Sequence, residues 1–201
     1  MSFRLRWRSC HEQFNAPSDD VKNPQQNPVA PTTRLFLALL PSENLKVALA
    51  IHRDQWQWPD FAAVYAPADW HVTLHFIGSV PRERLDELRA GLTVPMTSFD
   101  LRLDVPERWP HGLAVLRAAT VPEALQQLHA DLGQTLLRLG LPTEPRLFRP
   151  HLTLARHAAQ ARPPPLSSLV LDCHAEGYVL MASTGGVQHR YQVLQSYGSA
   201  A

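Results

Sequence analysis

The sequence predicts an α+β fold in which antiparallel sheets are backed by helices. Three observations carry this. Short apolar runs of strand character are interrupted by leucine-periodic helical segments. Two strand-like runs lie close together at 99–120, and two more follow one another at 178–197 without a helix between them. Consecutive strands of this kind favour hairpin pairing over a doubly wound parallel sheet. At 201 residues, 45% hydrophobic and 18% charged, the chain has enough apolar material for one domain, or for two small lobes sharing a core.

Residues 11–33, HEQFNAPSDDVKNPQQNPVAPTT, scatter prolines among Asn, Gln, Asp and Ser. Too little apolar surface is present to offset the ordering entropy, so 1–33 is predicted to be a disordered N-terminal extension and 34–201 the folded domain. RLFLALL (34–40) reads as a buried strand stopped by Pro41. In SENLKVALAIHRDQW, Ser42 suits an N-cap, with Leu45, Leu49 and Ile51 or His52 on the inner face of a helix. A strand follows at 70–77, then a helix opening on Pro81 with Leu85, Leu88 and Leu92 in line. Strands at 99–105 and 113–120 are predicted to pair across PERWPHG. The strongest helix covers 121–140, where Leu125, Leu128, Leu132, Leu136 and Leu139 form a stripe and Gly140 a stop. Strands at 150–156, 166–175, 178–184 and 190–197 complete the order β-α-β-α-β-β-α-β-β-β-β.

A formal net charge of +1 excludes the broad basic field of a non-specific nucleic-acid binder, so any anion must be gripped locally. No stretch approaches 18 apolar residues, and no membrane span is expected. MSFRLRWRSCHEQF is basic but lacks a following apolar segment, which disfavours a secretory signal. Cys10 falls in the predicted extension and Cys173 in the fold, so no disulfide framework is expected and a reducing, cytoplasmic setting fits.

The chemistry is announced by a doublet: WHVTLHFIG (70–78) and PHLTLARH (150–157). Composition alone gives roughly 0.07 occurrences of His-x-Thr-Leu in such a chain, and it appears twice. A single histidine on a strand is most often a half-buried residue satisfied by backbone; a matched pair asks for more. Strand alternation sends His71 and Thr73 to one face and Val72 and Leu74 to the other, and does the same for His151, Thr153, Leu152 and Leu154. Two imidazoles can divide acid and base work near neutral pH, and two hydroxyls can hold oxyanions. A phosphate or cyclic phosphodiester undergoing in-line displacement needs that set.

HVTLHFIG, FRPHLTLAR and the opening RLFLAL resemble the 2H phosphoesterase superfamily, in particular its RNA 2′,3′-cyclic phosphodiesterase branch, also called the 2′-5′ RNA ligase family. The resemblance covers about residues 34–197. It implies a bilobal, pseudo-symmetric fold with two antiparallel sheets facing a central cleft and helices outside. It also implies hydrolysis of RNA 2′,3′-cyclic phosphate ends to 2′-phosphomonoesters without a metal or other cofactor. By position, His71 is the expected proton donor to the leaving 3′ oxygen and His151 the acceptor that activates water. Thr73 and Thr153 are expected to bond the phosphate oxygens. Arg156 ends the family motif as a phosphate clamp, yet strict alternation turns it away from the cleft; Arg149 has the right parity but precedes Pro150. This chain departs from the family at His75, where a lysine is usual, on the expected face of His71 and Thr73. Trp109-Pro110 stands where Phe-Pro is usual and offers a ring for a base to stack on.

A metal site drawing on His71, His75, His151 and His157 is disfavoured, because four strand residues span about 13 Å and no Cys or carboxylate accompanies them at ligand spacing. The expected partner is RNA with a cyclic phosphate end or a small cyclic nucleotide, acted on by a monomer, with joining of RNA ends as the reverse reaction. Two alternatives stay open: a phosphodiesterase for another small cyclic phosphate, and a non-catalytic RNA-end binding module.

Overall fold

The computed structural model describes residues 30–165, 171–186 and 190–198. The prediction for the N-terminal extension, up to residue 29, and the first part of the strand predicted at 166–175 lie outside these residues. The elements are β1 (Thr32–Leu39), α1 (Glu43–Asp54), β2 (Ala63–Val64), β3 (Val72–Pro81), α2 (Leu85–Gly91), β4 (Phe99–Arg102), β5 (Val105–Trp109), β6 (Leu113–Arg117), α3 (Glu123–Arg138), β7 (His151–Arg156), β8 (Asp172–Ala175), β9 (Gly177–Ser183) and β10 (Tyr191–Gly198). β1 thus begins two residues before the predicted domain start.

The helices follow their sequence signals. The Ser42 hydroxyl accepts the Leu45 N–H at 3.3 Å and caps α1, whose inner face is Leu45, Leu49 and His52, with Ile51 turned to solvent. In α3, Leu125, Leu128, Leu132 and Leu136 are buried, and Gly140 takes φ +68° just beyond the helix. Pro81 closes β3 instead of opening a helix; a 3₁₀ turn at Arg82–Arg84 leads into α2. These leucines meet Leu35, Leu37 and Leu39 of β1, Val72 of β3 and Leu152 and Leu154 of β7 in one core on the helix side of the sheet. Each such leucine contributes about 1.5–3 kcal/mol by leaving water.

Among the described residues every strand pairing is antiparallel, in keeping with an α+β fold. Two four-stranded halves, β10-β9-β1-β3 and β5-β6-β7-β2, are joined where β3 meets β7 at the single pair Val72–Leu152. β4 and β8 form a separate two-stranded sheet. The predicted hairpin is therefore corrected. Residues 99–102 pair with 172–175, and the true partner of β6 is β5, across a turn at Pro110–Gly112 in which His111 and Gly112 have φ +63° and +72°. The predicted loop PERWPHG thus holds most of β5, and Pro106 fits there because β5 is the outer strand of its half, where a missing N–H costs no ladder bond.

Both His-Thr strands carry a bulge at the same place. In β3 the partner in β1 steps from Thr73 to His75, passing over Leu74; in β7 the partner in β6 steps from Thr153 to Ala155, passing over Leu154. The extra residue inverts the alternation beyond it. The burial pattern from His71 to Phe76 is accordingly the same as that from His151 to Arg156: two half-buried polar positions, buried neighbours between and after them, then an exposed residue.

Candidate active site

Antiparallel pairing at Val72–Leu152 sets His71 across from Thr153 and Thr73 across from His151. In a regular ladder, facing residues lie about 4.5–5.5 Å apart and diagonal ones about 7–8 Å. The four residues therefore leave the backbone at the corners of one small square, with the histidines on its diagonal. Val72, Leu74, Leu152 and Leu154 beneath it are buried, so the four polar positions are fixed by core packing.

Each histidine is oriented in the same way. The Nδ1 of His71 lies 2.7 Å from the Asp69 carbonyl oxygen, and that of His151 lies 2.7 Å from the Arg149 carbonyl oxygen. A carbonyl only accepts, so Nδ1 carries the proton and Nε2 is the nitrogen left to exchange one. The surroundings differ. Phe36 and Tyr191 each hold a ring 4.9 Å from that of His71, whereas Trp109 packs 4.2 Å from that of His151. Burial holds both histidines below their ordinary pKa. For His71 the Asp69 carbonyl and carboxylate oppose that shift, while His151 and Arg156 add to it; for His151 the Arg149 carbonyl opposes it and the Arg149 charge adds to it.

The bulge decides two questions that alternation left open. Arg156, beyond it, is exposed, with its guanidinium 5.7 Å from the Tyr65 ring and its charge felt at His71. His75 is corrected: it does not share the face of His71 and Thr73. It is 4% exposed, donates from Nε2 to the His129 carbonyl at 2.8 Å, and stacks on the His129 ring at 4.0 Å, which stacks in turn on Phe148 at 3.9 Å. Phe76 takes the exposed position instead. Arg149 lies 4.8 Å over the Trp109 ring and pairs with Glu107 at 3.2 Å. Beside His151 opens a cavity of about 440 Å³ lined by Thr73, Phe76, Trp109, Phe148 and Arg149 among others. Sequence reasoning missed Asp69, Glu107, Arg190 and the aromatic residues Phe36, Phe76, Phe148 and Tyr191. The local signal at the bulge was Leu154-Ala155, two successive apolar residues in an otherwise alternating strand.

A family model described as the 2′-5′ RNA ligase superfamily matches residues 48–174, a span that contains both His-Thr strands. The chain belongs to the 2′-5′ RNA ligase superfamily. Within it, an RNA 2′,3′-cyclic phosphodiesterase of Escherichia coli (strain K12) is 35% identical over 139 residues, 66% of this chain and 77% of that protein. An RNA 2′,3′-cyclic phosphodiesterase of Geobacillus stearothermophilus is 32% identical over 101 residues, 44% of this chain and 30% of that protein, so the match spans under a third of the latter. The crystal structure of E. coli LigT complexed with 3′-AMP superposes with a TM-score of 0.76 at 25% identity, over 85% of this chain and 100% of that one. The two-half antiparallel architecture is thus the superfamily's.

Proposed function

We propose that this protein hydrolyses RNA 2′,3′-cyclic phosphate ends to 2′-phosphomonoesters by metal-independent acid/base catalysis. The observation that carries this reading is the square of His71, Thr153, Thr73 and His151 on one face of the β3–β7 junction. The names of the two curated relatives support the reaction class.

In this reading the cyclic phosphate sits over the square, its non-bridging oxygens accepting hydrogen bonds from the Thr73 and Thr153 hydroxyls. His151 takes a proton from water at Nε2 as the water oxygen attacks phosphorus. His71 gives its Nε2 proton to the departing 3′ oxygen, opposite the attack. Each positioned proton transfer is worth about 10²–10⁴-fold. Arg156 on the His71 side and Arg149 on the His151 side supply positive charge for the phosphorane-like transition state. The aromatic walls of the adjoining cavity suit a nucleobase. A 5′-hydroxyl taking the place of water would join two RNA ends by the same steps.

The test is release of 2′-phosphate from nucleoside and oligonucleotide 2′,3′-cyclic phosphates in EDTA. Wild type is expected to turn over unchanged by the chelator, and His71→Ala and His151→Ala each to lose at least about 10²-fold in kcat. Near wild-type turnover by either variant overturns the two-histidine mechanism, and loss of activity in EDTA overturns its metal independence.

A further inference from the structure

We infer that Asp69 and Arg149, the residues two positions before each histidine, decide which ring is the acid and which the base, by setting opposite charges behind two rings held by the same Nδ1–carbonyl bond. This rests on the two-histidine reading above.

The geometry is a repeat with one sign reversed. Both histidines donate from Nδ1 to the carbonyl of their own i−2 residue at the same 2.7 Å. The side chain at one i−2 position is a carboxylate 7% exposed, and at the other a guanidinium. Each is met by a counter-charge from another element. Arg190, just before β10, brings Nε to 3.7 Å from the Asp69 carboxylate. Glu107 of β5 accepts from Arg149 at 3.2 Å while also accepting from Arg117 of β6 at 2.9 Å.

The groups that face each ring are few. His71 meets Phe36 of β1, Tyr191 of β10, His151 and Arg156 of β7, and Asp69. His151 meets Trp109 of β5, its cross-strand partner Arg117 of β6, and Arg149. Burial disfavours the imidazolium at both. Among the described residues, Asp69 is the one side-chain charge acting on His71 that favours it, and at His151 the Arg149 charge disfavours it further. These two side-chain charges therefore draw a proton toward His71, the donor, and away from His151, the acceptor. Asp69 is a positioning residue that acts through His71, and Arg149 acts through His151 in addition to the charge it offers the phosphate.

The bell-shaped pH profile of kcat/KM for a nucleoside 2′,3′-cyclic phosphate tests this, because its alkaline limb reports the acid and its acidic limb the base. Asp69→Asn is expected to move the alkaline limb down, and Arg190→Met, which leaves Asp69 uncompensated, to move it up. Arg149→Gln is expected to move the acidic limb up and Glu107→Gln to move it down. Each displacement is expected to be about half a pH unit or more. Opposite displacements within each pair are something mere loosening of the fold does not produce. Should Asp69→Asn fail to fold, Arg190→Met still tests the same carboxylate. Limbs that stay in place, or that move the same way for both members of a pair, overturn the inference while leaving the two-histidine mechanism intact. Displacement of the acidic limb by Asp69→Asn reverses the assigned roles and overturns it too. A wild-type protein with no turnover fails at the earlier reading, and both then fall.

Discussion

The buried phenol of Tyr178 stitches β9 to the segment that follows α2: its hydroxyl donates to the Leu92 carbonyl at 2.8 Å and accepts the Val94 N–H at 2.7 Å. Tyr178→Phe keeps the ring and strands both backbone groups away from water. The expected loss is about 1–3 kcal/mol, read as a lower urea midpoint with an unchanged slope. A midpoint equal to wild type would mean that water reaches those groups. At this scale the sequence disclosed the candidate His-Thr residues and their parity but not their neighbours. His71, Thr73, His151 and Thr153 alternate as drawn because the leucine and valine between them must enter the core. His75 and Arg156 did not, because an unpaired residue just before each of them, Leu74 and Leu154, reverses the side chains that follow it, and composition carries no count of ladder bonds. Phe36 and Tyr191 come to His71 from strands far away in the chain, and Arg190 comes to Asp69 from just before β10, so no local pattern could pair them.

The β5–β6 hairpin shows how an element sets a side chain's place. Its turn needs a positive φ at Gly112, and a Cβ there would stand 3.2 Å from the Ala158 nitrogen, which itself donates to the Gly112 carbonyl at 2.8 Å. Gly112→Ala meets both the backbone penalty and that crowding, for an expected cost of about 1–3 kcal/mol. Because Trp109 lies at the base of this turn and packs on His151, KM for a cyclic phosphate is expected to rise along with the loss of thermal stability. Lowered stability with KM unchanged would separate the turn from the site. The helices were legible to within a turn, since their leucine stripes and caps are local. The hairpin partner was not, since a proline suits an outer strand as well as a loop, and which strand lies outermost is a property of the assembled sheet.

Across the whole molecule, burial sets a pH dependence that needs no substrate. His52, His75 and His129 are held below their ordinary pKa chiefly because burial disfavours the imidazolium, His129 down to about 4. Unfolded, these rings titrate near 6.5, so the unfolded chain takes up protons that the fold refuses. Stability is therefore complete above about pH 6.5 and declines as pH falls toward 4. Urea midpoints measured at intervals from pH 7.5 to 4.5 are expected to drop steadily below 6.5; a level profile to pH 5 contradicts this. Among the described residues, the two halves touch along their ladders only at Val72–Leu152, and their chain origins differ. One half, β2, β5, β6 and β7, lies within 63–156, a span that also holds β3; the other joins β1 and β3 to β9 and β10 from far along the chain. A polypeptide still emerging from the ribosome at residue 160 already contains His71 and His151, but neither Tyr191 nor the strand that brackets β1. The wall around His71 therefore closes only after β9 and β10 are made, and a product truncated before them would retain both His-Thr motifs without it.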